Sequence, residues 1–317
     1  MKLVINIPCF NEEKTLPLVL AELPKEIIGI DEVEYQIVDD GSKDKTVEIA
    51  KNFGCHVIRH IKNRGLGWAF KSGMNEALSR GCDIFVNTDG DNQYPSKYIP
   101  ELIRHIINDN ADIVIGNRNP WKVKHFSPLK RILQYVGNGF MRKVLGIDVP
   151  DTVSGFRAYS REALLRINVV TQFSYVLDTI MQASQKGLKV ENIDIETNAP
   201  TRKSRLFKNM FQHIRKSLAN MIRLFYLYEP FKTFSFLSLM FFVPGLSLGI
   251  RFLYFYFRNE GTGHIQSLLL ATISILGSIL MFGFAIIGDS LKTNRILKED
   301  ELYMKKKYFF GNNIDED

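Results

Sequence analysis

The chain has 317 residues, 45% of them hydrophobic, which is enough to bury a core in one large domain or two smaller ones. Its formal net charge is +7 at pH 7, and it contains only three cysteines, Cys9, Cys55 and Cys82. An odd number of cysteines without metal-ligand spacing argues against a disulfide framework or a zinc site, so we predict buried free thiols.

The first 120 residues contain five short runs rich in valine and isoleucine, which we predict to be strands. Segments with apolar residues three and four positions apart, typical of amphipathic helices, lie between them. Strands that alternate with helices indicate an α/β fold with a mostly parallel sheet and right-handed crossovers. The predicted strands are KLVINIP (2–8), EYQIVDD (34–40), CHVIRH (55–60), DIFVNTD (83–89) and DIVIGN (112–117).

Polar clusters follow four of these strands. Ligands of parallel α/β sheets bind at the carboxyl ends of the strands, so we expect the four clusters to line one rim. The first strand is not followed by G-x-G-x-x-G, and the chain has no Walker A sequence, which argues against an NAD enzyme and a P-loop ATPase. The clusters are PCFNEE (8–13), DDGSKD (39–44), DGDNQ (89–93) and NRNP (117–120).

Two of the clusters carry paired aspartates. Asp89 and Asp91 stand one residue apart where an apolar run ends, and two such groups repel unless a positive charge lies between them. With Gln93 they offer oxygen ligands for Mg²⁺ or Mn²⁺, which would bridge a diphosphate; a simple turn is the alternative. Asp39 and Asp40 could accept hydrogen bonds from an imide N–H or the ribose hydroxyls of a nucleotide.

The region from about residue 120 to 197 is less regular. We predict a helix in SPLKRILQYVGNGFMRKVLG, a strand-like segment in DTVSGFRAYS leading into REALLRI, a helix in FSYVLDTIMQASQKG and a strand in LKVENIDIET.

Residues 233–250 and 261–288 contain no charged residue, and an aromatic run continues after Arg251. These runs predict a transmembrane hairpin, with spans at about residues 233–257 and 265–288 joined by RNEGTGH. A buried core helix is the alternative explanation for either run alone. Lysine and arginine are dense on both sides of the hairpin, so the positive-inside rule places both termini in the cytoplasm. This basic excess fits anionic lipid head groups, and we predict no nucleic-acid partner.

The segments on either side of the hairpin carry further predictions. Residues 205–231 mix apolar and basic residues at helical spacing, which indicates an amphipathic helix in the lipid interface, or alternatively one exposed on the protein body. The tail KKKYFFGNNIDED is predicted to be mobile. Gly245 and Gly249 lie four residues apart and could allow close helix packing in a homo-oligomer.

Six segments of the chain form one set, in this order: IPCFNEEKT, IVDDGSKDKT, NRGLGWAFKSGMNEA, NTDGDNQYP, IGNR and VSGFRAYS. Together they resemble family 2 glycosyltransferases of the GT-A fold, most closely the polyprenyl-phosphate glycosyltransferases, which include dolichol-phosphate mannose synthases and bactoprenol glucosyltransferases. The resemblance covers about residues 1–200, and the segment TRKSRLFKN…YEPFKTF with the hairpin is similar to the membrane-anchored bacterial members.

The resemblance implies roles for individual residues at the donor side of the site. Asp40 would contact the base with Asp39 near the same pocket, and Asp91 and Gln93 would hold the metal. Asp89 would lie beside the metal, on the ribose or diphosphate. The other residues implied to border the nucleotide sugar are Pro8, Phe10, Asn11, Glu12, Arg118 and Arg202.

It also implies roles on the acceptor side. Arg118 would approach the sugar diphosphate or the acceptor, Arg131 the lipid phosphate, and Arg205 would add positive charge near the membrane. Asp151 lies where the family keeps an acidic residue, which would either orient the nucleophile or cap the following segment. Many relatives have Ala where this chain has Gly90, which we expect to make the metal site less preorganised.

The domains implied are a cytoplasmic GT-A domain (1–204), an interface helix (205–231), the hairpin (232–289) and a cytoplasmic tail (290–317). The expected reaction is metal-dependent, inverting transfer of one hexose, with UDP-glucose favoured as donor, to a polyprenyl phosphate at the cytoplasmic face of the cell membrane. The alternatives are a dolichol-phosphate mannose synthase that uses GDP-mannose, a processive polysaccharide synthase and a catalytically silent, membrane-anchored binding protein.

Overall fold

The computed structural model describes residues 1–119, 149–170, 175–199, 225–258 and 261–311, with Gly139, Ala219, Ile222 and Arg223 as isolated further positions. The chain divides into two compact units. The first comprises residues 1–203 and 302–317, and the second comprises residues 204–301.

The first unit is built on one seven-stranded sheet with the strand order β3-β2-β1-β4-β6-β5-β7. Helices connect the parallel strands, as the alternating pattern predicts. The strands are β1 Lys2–Cys9, β2 Glu32–Asp39, β3 His56–Arg59, β4 Ile84–Asn87, β5 Ile113–Asn117, β6 Arg157–Ser160 and β7 Val190–Asp194. The helices of this unit are α1 Leu16–Glu22, α2 Thr46–Asn52, α3 Leu66–Ser79, α4 Ile99–Ile107, α5 Arg161–Arg166 and α6 Tyr175–Gln185.

β6 is the strand that departs from the parallel pattern. It pairs antiparallel with β4 on one side and with β5 on the other, with Asn87 and Ile115 both opposite Arg157. Because β6 begins at Arg157, the residues just before it lie beside the carboxyl ends of β4 and β5. The sheet is therefore mixed but mostly parallel, as predicted.

Apolar layers cover both faces of the sheet. One layer contains Ile5, Ile7 and Leu102, and the other contains Val4 and Phe85. Strands buried on both faces read as nearly continuous apolar runs, which explains the sequence pattern. All three cysteines are buried free thiols, so that prediction is confirmed.

The end of the chain also belongs to this first unit. Helix α8 extends over Ile265–Gly311, and Tyr303 and Phe310 pack against the layer that contains Phe85. The Tyr303 hydroxyl donates to Glu162 Oε1 at 2.9 Å, and Arg161 Nη2 donates to the Phe310 carbonyl at 2.7 Å. The predicted mobility of the tail is therefore wrong for residues 305–311, because these apolar and hydrogen-bonded contacts hold the last helical turns.

The second unit contains two helices, α7 Pro230–Phe257 and the first part of α8, that are long and apolar enough to cross a membrane. Small residues line their contact. Ser238 Oγ donates to the Ser278 carbonyl at 2.9 Å, and a Cβ atom on Gly245 would lie 3.0 Å from the Ser274 Cβ. Gly245 therefore allows a close approach between the two helices of the hairpin, while the homo-oligomer predicted from Gly245 and Gly249 stays a prediction.

We predict that Phe310→Ala will lower the free energy of unfolding by about 2 kcal/mol, because it removes an aromatic ring from a packed layer. Phe309 is the matched control, since 66% of it is exposed and the same truncation there removes little buried area. Thermal unfolding of the purified protein in detergent compares the two variants. Equal unfolding temperatures would show that residues 302–311 contribute nothing to the first unit.

Candidate active site at the carboxyl ends of the strands

The order β2-β1-β4-β6-β5 brings the predicted polar segments together at one edge of the sheet. Residues 10–13 follow β1 and residues 40–44 follow β2. The acidic loop 89–93 follows β4, Arg118 follows β5, and Asp151 lies in the segment that leads into β6. All of these segments lie at the edge of the sheet where a parallel α/β fold binds its ligands.

The loops after β1 and β2 are bonded to each other. Asn11 has a φ of +56°, a left-handed conformation that Asn tolerates well. Its N–H donates to Ser42 Oγ at 2.8 Å, and its side-chain oxygen accepts from the Lys43 N–H at 2.8 Å. The Glu12 N–H donates to Thr46 Oγ1, also at 2.8 Å. Pro8 is the second-last residue of β1, next to these bonded loops, and Phe10 is 37% exposed.

Asp40 has a different environment from the one that the sequence suggested. Its carboxylate accepts from His60 Nδ1 at 2.7 Å, from the Arg64 N–H at 2.9 Å and from the Gly65 N–H at 2.8 Å. The opposite nitrogen of His60 contacts Ser72 Oγ at 3.0 Å on α3. Asp40 therefore anchors the loop that leads into α3. Three acceptor positions of the Asp40 carboxylate are occupied.

Asp39 is fully buried, and its carboxylate accepts fewer hydrogen bonds than that of Asp40. One carboxylate oxygen accepts from the Ser42 N–H at 3.0 Å. The other lies 3.3 Å from Arg59 Nε and accepts no hydrogen bond from any described residue. Of the two carboxylates, Asp39 is thus the better placed to receive an N–H or O–H donor from a ligand.

The acidic loop after β4 is a turn with carboxylates at its start. Asp91 Oδ1 accepts from the Gln93 N–H at 3.1 Å, and Asn92 has a φ of +61°. A Cβ atom on Gly90 would lie 3.0 Å from Cys9 Sγ, so glycine here leaves room for that thiol. The turn explains the residue types, and it places the side chains of Asp89 and Asp91 within one short loop.

The predicted metal ligands fit Mg²⁺ or Mn²⁺ by their chemistry. Asp89, Asp91 and Gln93 offer only hard oxygen donors, which both ions prefer. Across the parts of the chain that are described, no group of three or more His, Cys, Asp or Glu side chains could hold a metal by itself. These three side chains would therefore need further oxygen atoms, from a bound diphosphate or from water, to complete the coordination shell of the ion.

Asn198, which the sequence analysis did not single out, holds the acidic loop from outside the sheet. Its N–H donates to the Gln93 carbonyl and its Nδ2 to the Asn92 carbonyl, each at 3.0 Å. Tyr94 secures the other side of the loop. Its ring stacks on Phe156 with centroids 5.3 Å apart, and its hydroxyl accepts from the Gly155 N–H at 3.3 Å.

Arg118 and Asp151 form a buried ion pair with two hydrogen bonds. Arg118 Nε donates to Asp151 Oδ2 at 2.7 Å, and Nη2 donates to Oδ1 at 3.0 Å. Burial by itself would raise the pKa of the Asp151 carboxyl, but the charge and hydrogen bonds of Arg118 hold that pKa below its ordinary value. Asp151 also accepts from the Val153 N–H at 3.3 Å, a contact that caps the following segment.

Three of the predicted residues cannot be placed. Arg131, Arg202 and Arg205 lie outside the described residues, as does most of the predicted interface helix, residues 205–231.

We predict that Arg118→Ala will cost about 3–5 kcal/mol of stability, because it leaves the Asp151 charge buried without its partner. Replacing both partners, as Arg118→Met with Asp151→Leu, should recover most of that loss. Thermal unfolding of the three proteins at pH 7 measures the difference.

The pH dependence provides a second check on this pair. A carboxyl whose pKa is lowered by folding stabilises the protein above its unfolded pKa, about 3.9, and this contribution is lost as the pH falls through the folded pKa. The gap between wild type and Arg118→Ala should therefore shrink on acidification. A gap that stays constant from pH 7 to pH 3 would contradict the assignment.

Comparison with known proteins agrees with this arrangement. Residues 4–167 match the model of glycosyl transferase family 2. An undecaprenyl-phosphate mannosyltransferase of Micrococcus luteus is 27% identical over 62% of this chain and 83% of its own. A UDP-N-acetylglucosamine–dolichyl-phosphate N-acetylglucosaminyltransferase of Methanococcus voltae is 31% identical over 60% of this chain and 83% of its own.

Among solved structures, glucosyl-3-phosphoglycerate synthase of Mycobacterium tuberculosis, in complex with Mn²⁺, UDP-glucose and phosphoglyceric acid, is similar in fold. The TM-score is 0.52 at 20% identity, over 64% of this chain and 73% of that one. The family model spans more than half of the chain. The chain therefore belongs to glycosyl transferase family 2 and is a glycosyltransferase of the GT-A fold.

Proposed function

We propose that this enzyme transfers one hexose from a nucleotide sugar to a polyprenyl phosphate at a membrane surface. The observation that carries the proposal is the combination, in one chain, of the acidic loop 89–93 at the rim of a GT-A sheet and two helices able to cross a membrane. An acceptor with a lipid tail needs both parts. Relatives of this chain are named for undecaprenyl-phosphate and dolichyl-phosphate acceptors, which supports the assignment.

The donor's nucleotide would lie over the loops after β1 and β2. Asp39 would accept a hydrogen bond from the base or ribose, and Asp40 would keep the start of α3 in place. Asp89, Asp91 and Gln93 would hold Mg²⁺ or Mn²⁺, and the bound ion would neutralise charge on the leaving diphosphate. Pro8, Phe10, Asn11 and Glu12 would border the same pocket.

In the proposed reaction a phosphate oxygen of the lipid attacks the anomeric carbon of the hexose. The bond from that carbon to the diphosphate oxygen breaks, its electron pair stays on the nucleoside diphosphate, and the configuration at the carbon inverts. The attacking phosphate is already anionic, so a strong general base is less necessary than for a hydroxyl acceptor. Positioning and charge neutralisation would supply most of the acceleration.

The pairing of Arg118 with Asp151 bears on the roles of both residues. A carboxylate held by two hydrogen bonds from arginine, with its pKa lowered, is a poor proton acceptor. We assign Asp151 to holding Arg118, whose positive charge would act on the diphosphate or the acceptor phosphate. Arg131, Arg202 and Arg205 are proposed to add positive charge for the diphosphate and the lipid phosphate.

UDP-glucose is the donor that we propose, because the two-helix anchor resembles that of the glucosyl-type members. The two named relatives transfer mannose and N-acetylglucosamine, so the sugar needs a direct test. The proposed location is the cell membrane, with a multi-pass topology and with the catalytic domain and both termini in the cytoplasm. The dense basic residues on both sides of the hairpin support this orientation.

A transfer assay with purified protein in nanodiscs tests the function. UDP-glucose, UDP-galactose and GDP-mannose would be offered separately with undecaprenyl or dolichyl phosphate, with Mn²⁺ or with EDTA. We expect a singly glycosylated lipid from UDP-glucose, formed only with the metal and detected by mass. Repeated addition of sugar would indicate a processive synthase, and nucleotide binding without any product would indicate a silent binding protein.

We predict that Asp91→Asn will lower turnover by about a hundredfold or more while the protein stays folded, because the amide cannot replace a carboxylate beside the metal and the diphosphate. Asp109→Asn is the matched control. Asp109 is exposed, has a φ of +56° that Asn also adopts, and lies after α4 at the opposite edge of the sheet. Near-normal turnover by Asp91→Asn would overturn the metal assignment.

A further inference from the structure

Three buried amide side chains lie in a row across the centre of the sheet. Asn6 in β1 is directly opposite Gln36 in β2 on one side and Asn87 in β4 on the other. All three are fully buried. Their neighbours in the same strands are apolar residues such as Ile5 and Ile37, so the row is a polar line through an otherwise hydrophobic core.

Hydrogen bonds join the row in one direction. Gln36 Nε2 donates to Asn6 Oδ1, and Asn6 Nδ2 donates to Asn87 Oδ1, each at 2.8 Å. Asn87 Nδ2 then donates to the Tyr175 hydroxyl at 2.8 Å and to the Gly155 carbonyl at 3.2 Å. Hydrogen bonds arranged head to tail polarise one another, so such a chain holds its end group more firmly than isolated pairs do.

The end group is the Gly155 peptide. Its carbonyl accepts a second bond from the Tyr175 hydroxyl at 3.1 Å, and its N–H donates to the Tyr94 hydroxyl of the acidic loop at 3.3 Å. Burial raises the pKa of Tyr175 well above its ordinary value, so that hydroxyl keeps the proton it donates. The Tyr175 ring stacks on Phe70, with centroids 4.0 Å apart.

Asp89 lies close to Gly155. A Cβ atom on Gly155 would be 3.3 Å from Asp89 Oδ1 and 3.4 Å from Oδ2, so a side chain at position 155 would crowd the carboxylate. The place of the Gly155 backbone therefore limits where the Asp89 carboxylate can lie. The row therefore ends next to Asp89, which is predicted to bind the metal and the nucleotide. The three amides themselves are not predicted to bind either.

The contribution of the amide row to stability does not explain its presence in the core. Buried amides contribute less than well-packed apolar side chains, and Gln36 Oε1 has no hydrogen-bond partner among the described residues. Helix α3 must also leave space for the row, since a Cβ atom on Gly73 would lie 2.3 Å from Asn6 Oδ1. Three adjacent strands thus carry buried amides that lower stability, which indicates that the amides serve the function of the site.

We propose that Gln36, Asn6 and Asn87 form a positioning network that fixes the Gly155 peptide, and through it the Asp89 carboxylate, for nucleotide-sugar binding. The proposal rests on the proposed function for the identity of the ligand. It adds three residues, remote from the substrate, whose side chains determine the geometry of the site.

The test replaces the whole row with apolar side chains of similar size, Asn6→Leu, Gln36→Met and Asn87→Leu in one variant. The bonds from Gln36 to Asn6 and from Asn6 to Asn87 lose donor and acceptor together, and the Gly155 carbonyl keeps its bond from the Tyr175 hydroxyl, while the Gly73 carbonyl loses its bond from Gln36. We therefore expect the unfolding temperature to change little. The affinity for UDP-glucose with Mn²⁺, measured by calorimetry, should fall by about tenfold or more. Amide hydrogen exchange of residues 151–157 should become at least about tenfold faster, since Gly155 loses the bond from Asn87.

Gln182→Met is the matched control. Gln182 is a buried amide on α6 that bonds both the N–H and the carbonyl of Asn168, away from the rim. This control should lower the unfolding temperature and leave nucleotide affinity and exchange at residues 151–157 unchanged.

Each outcome decides the proposal. Unchanged exchange at residues 151–157 in the row variant overturns it, as does a parallel loss of stability and affinity, which would make the row purely structural. The exchange measurement needs no ligand. If the wild-type protein transfers no hexose to any lipid phosphate, the proposed function fails, while exchange still decides whether the row positions Gly155.

Discussion

The insertion of β6 antiparallel between β4 and β5 is the constraint on which the site depends. In an all-parallel sheet the chain would leave this edge after every strand, but here it arrives at the edge and enters the sheet. The segment 151–156 is thereby placed beside the ends of two strands that carry the acidic loop and Arg118. One reversal of strand direction thus brings Asp151 to Arg118 and Gly155 to Asp89.

Buried polar groups in the sheet interior hold the segment 151–156. Arg157, the first residue of β6, is fully buried and donates to the carbonyls of Ser154, Val176 and Thr152 and to Thr179 Oγ1. A cation in the core requires such complete hydrogen bonding, because an unpaired buried charge is costly. Arg157 and the amide row together tie the segment 151–156, which lies at the rim, to the rigid interior of the sheet.

The sequence predicted the elements far better than the contacts between them. Valine-rich runs and helical spacing located the strands, and the strand ends located the acidic loop, because both depend on local patterns. His60, Asn198 and the amide row were missed. Their roles depend on which residues face each other across paired strands or distant loops, and a single sequence does not contain that register. The helical end at residues 305–311 was missed for the same reason, since Phe310 packs against the first unit and its carbonyl accepts from Arg161, which is far away in the sequence.

Charge balance connects the site to the proposed chemistry. The reaction would bring two anions together, a nucleoside diphosphate and a lipid phosphate, at a rim where Asp39, Asp89 and Asp91 are already negative. Two arginines described at this rim face carboxylates: Arg118 is bound by Asp151, and Arg59 faces Asp39. Their charges are balanced by these partners, so binding both anions would call for further positive charge. We propose that a divalent cation on the acidic loop and the basic residues 131, 202 and 205 would supply it, at the bond that breaks and at the phosphate that attacks.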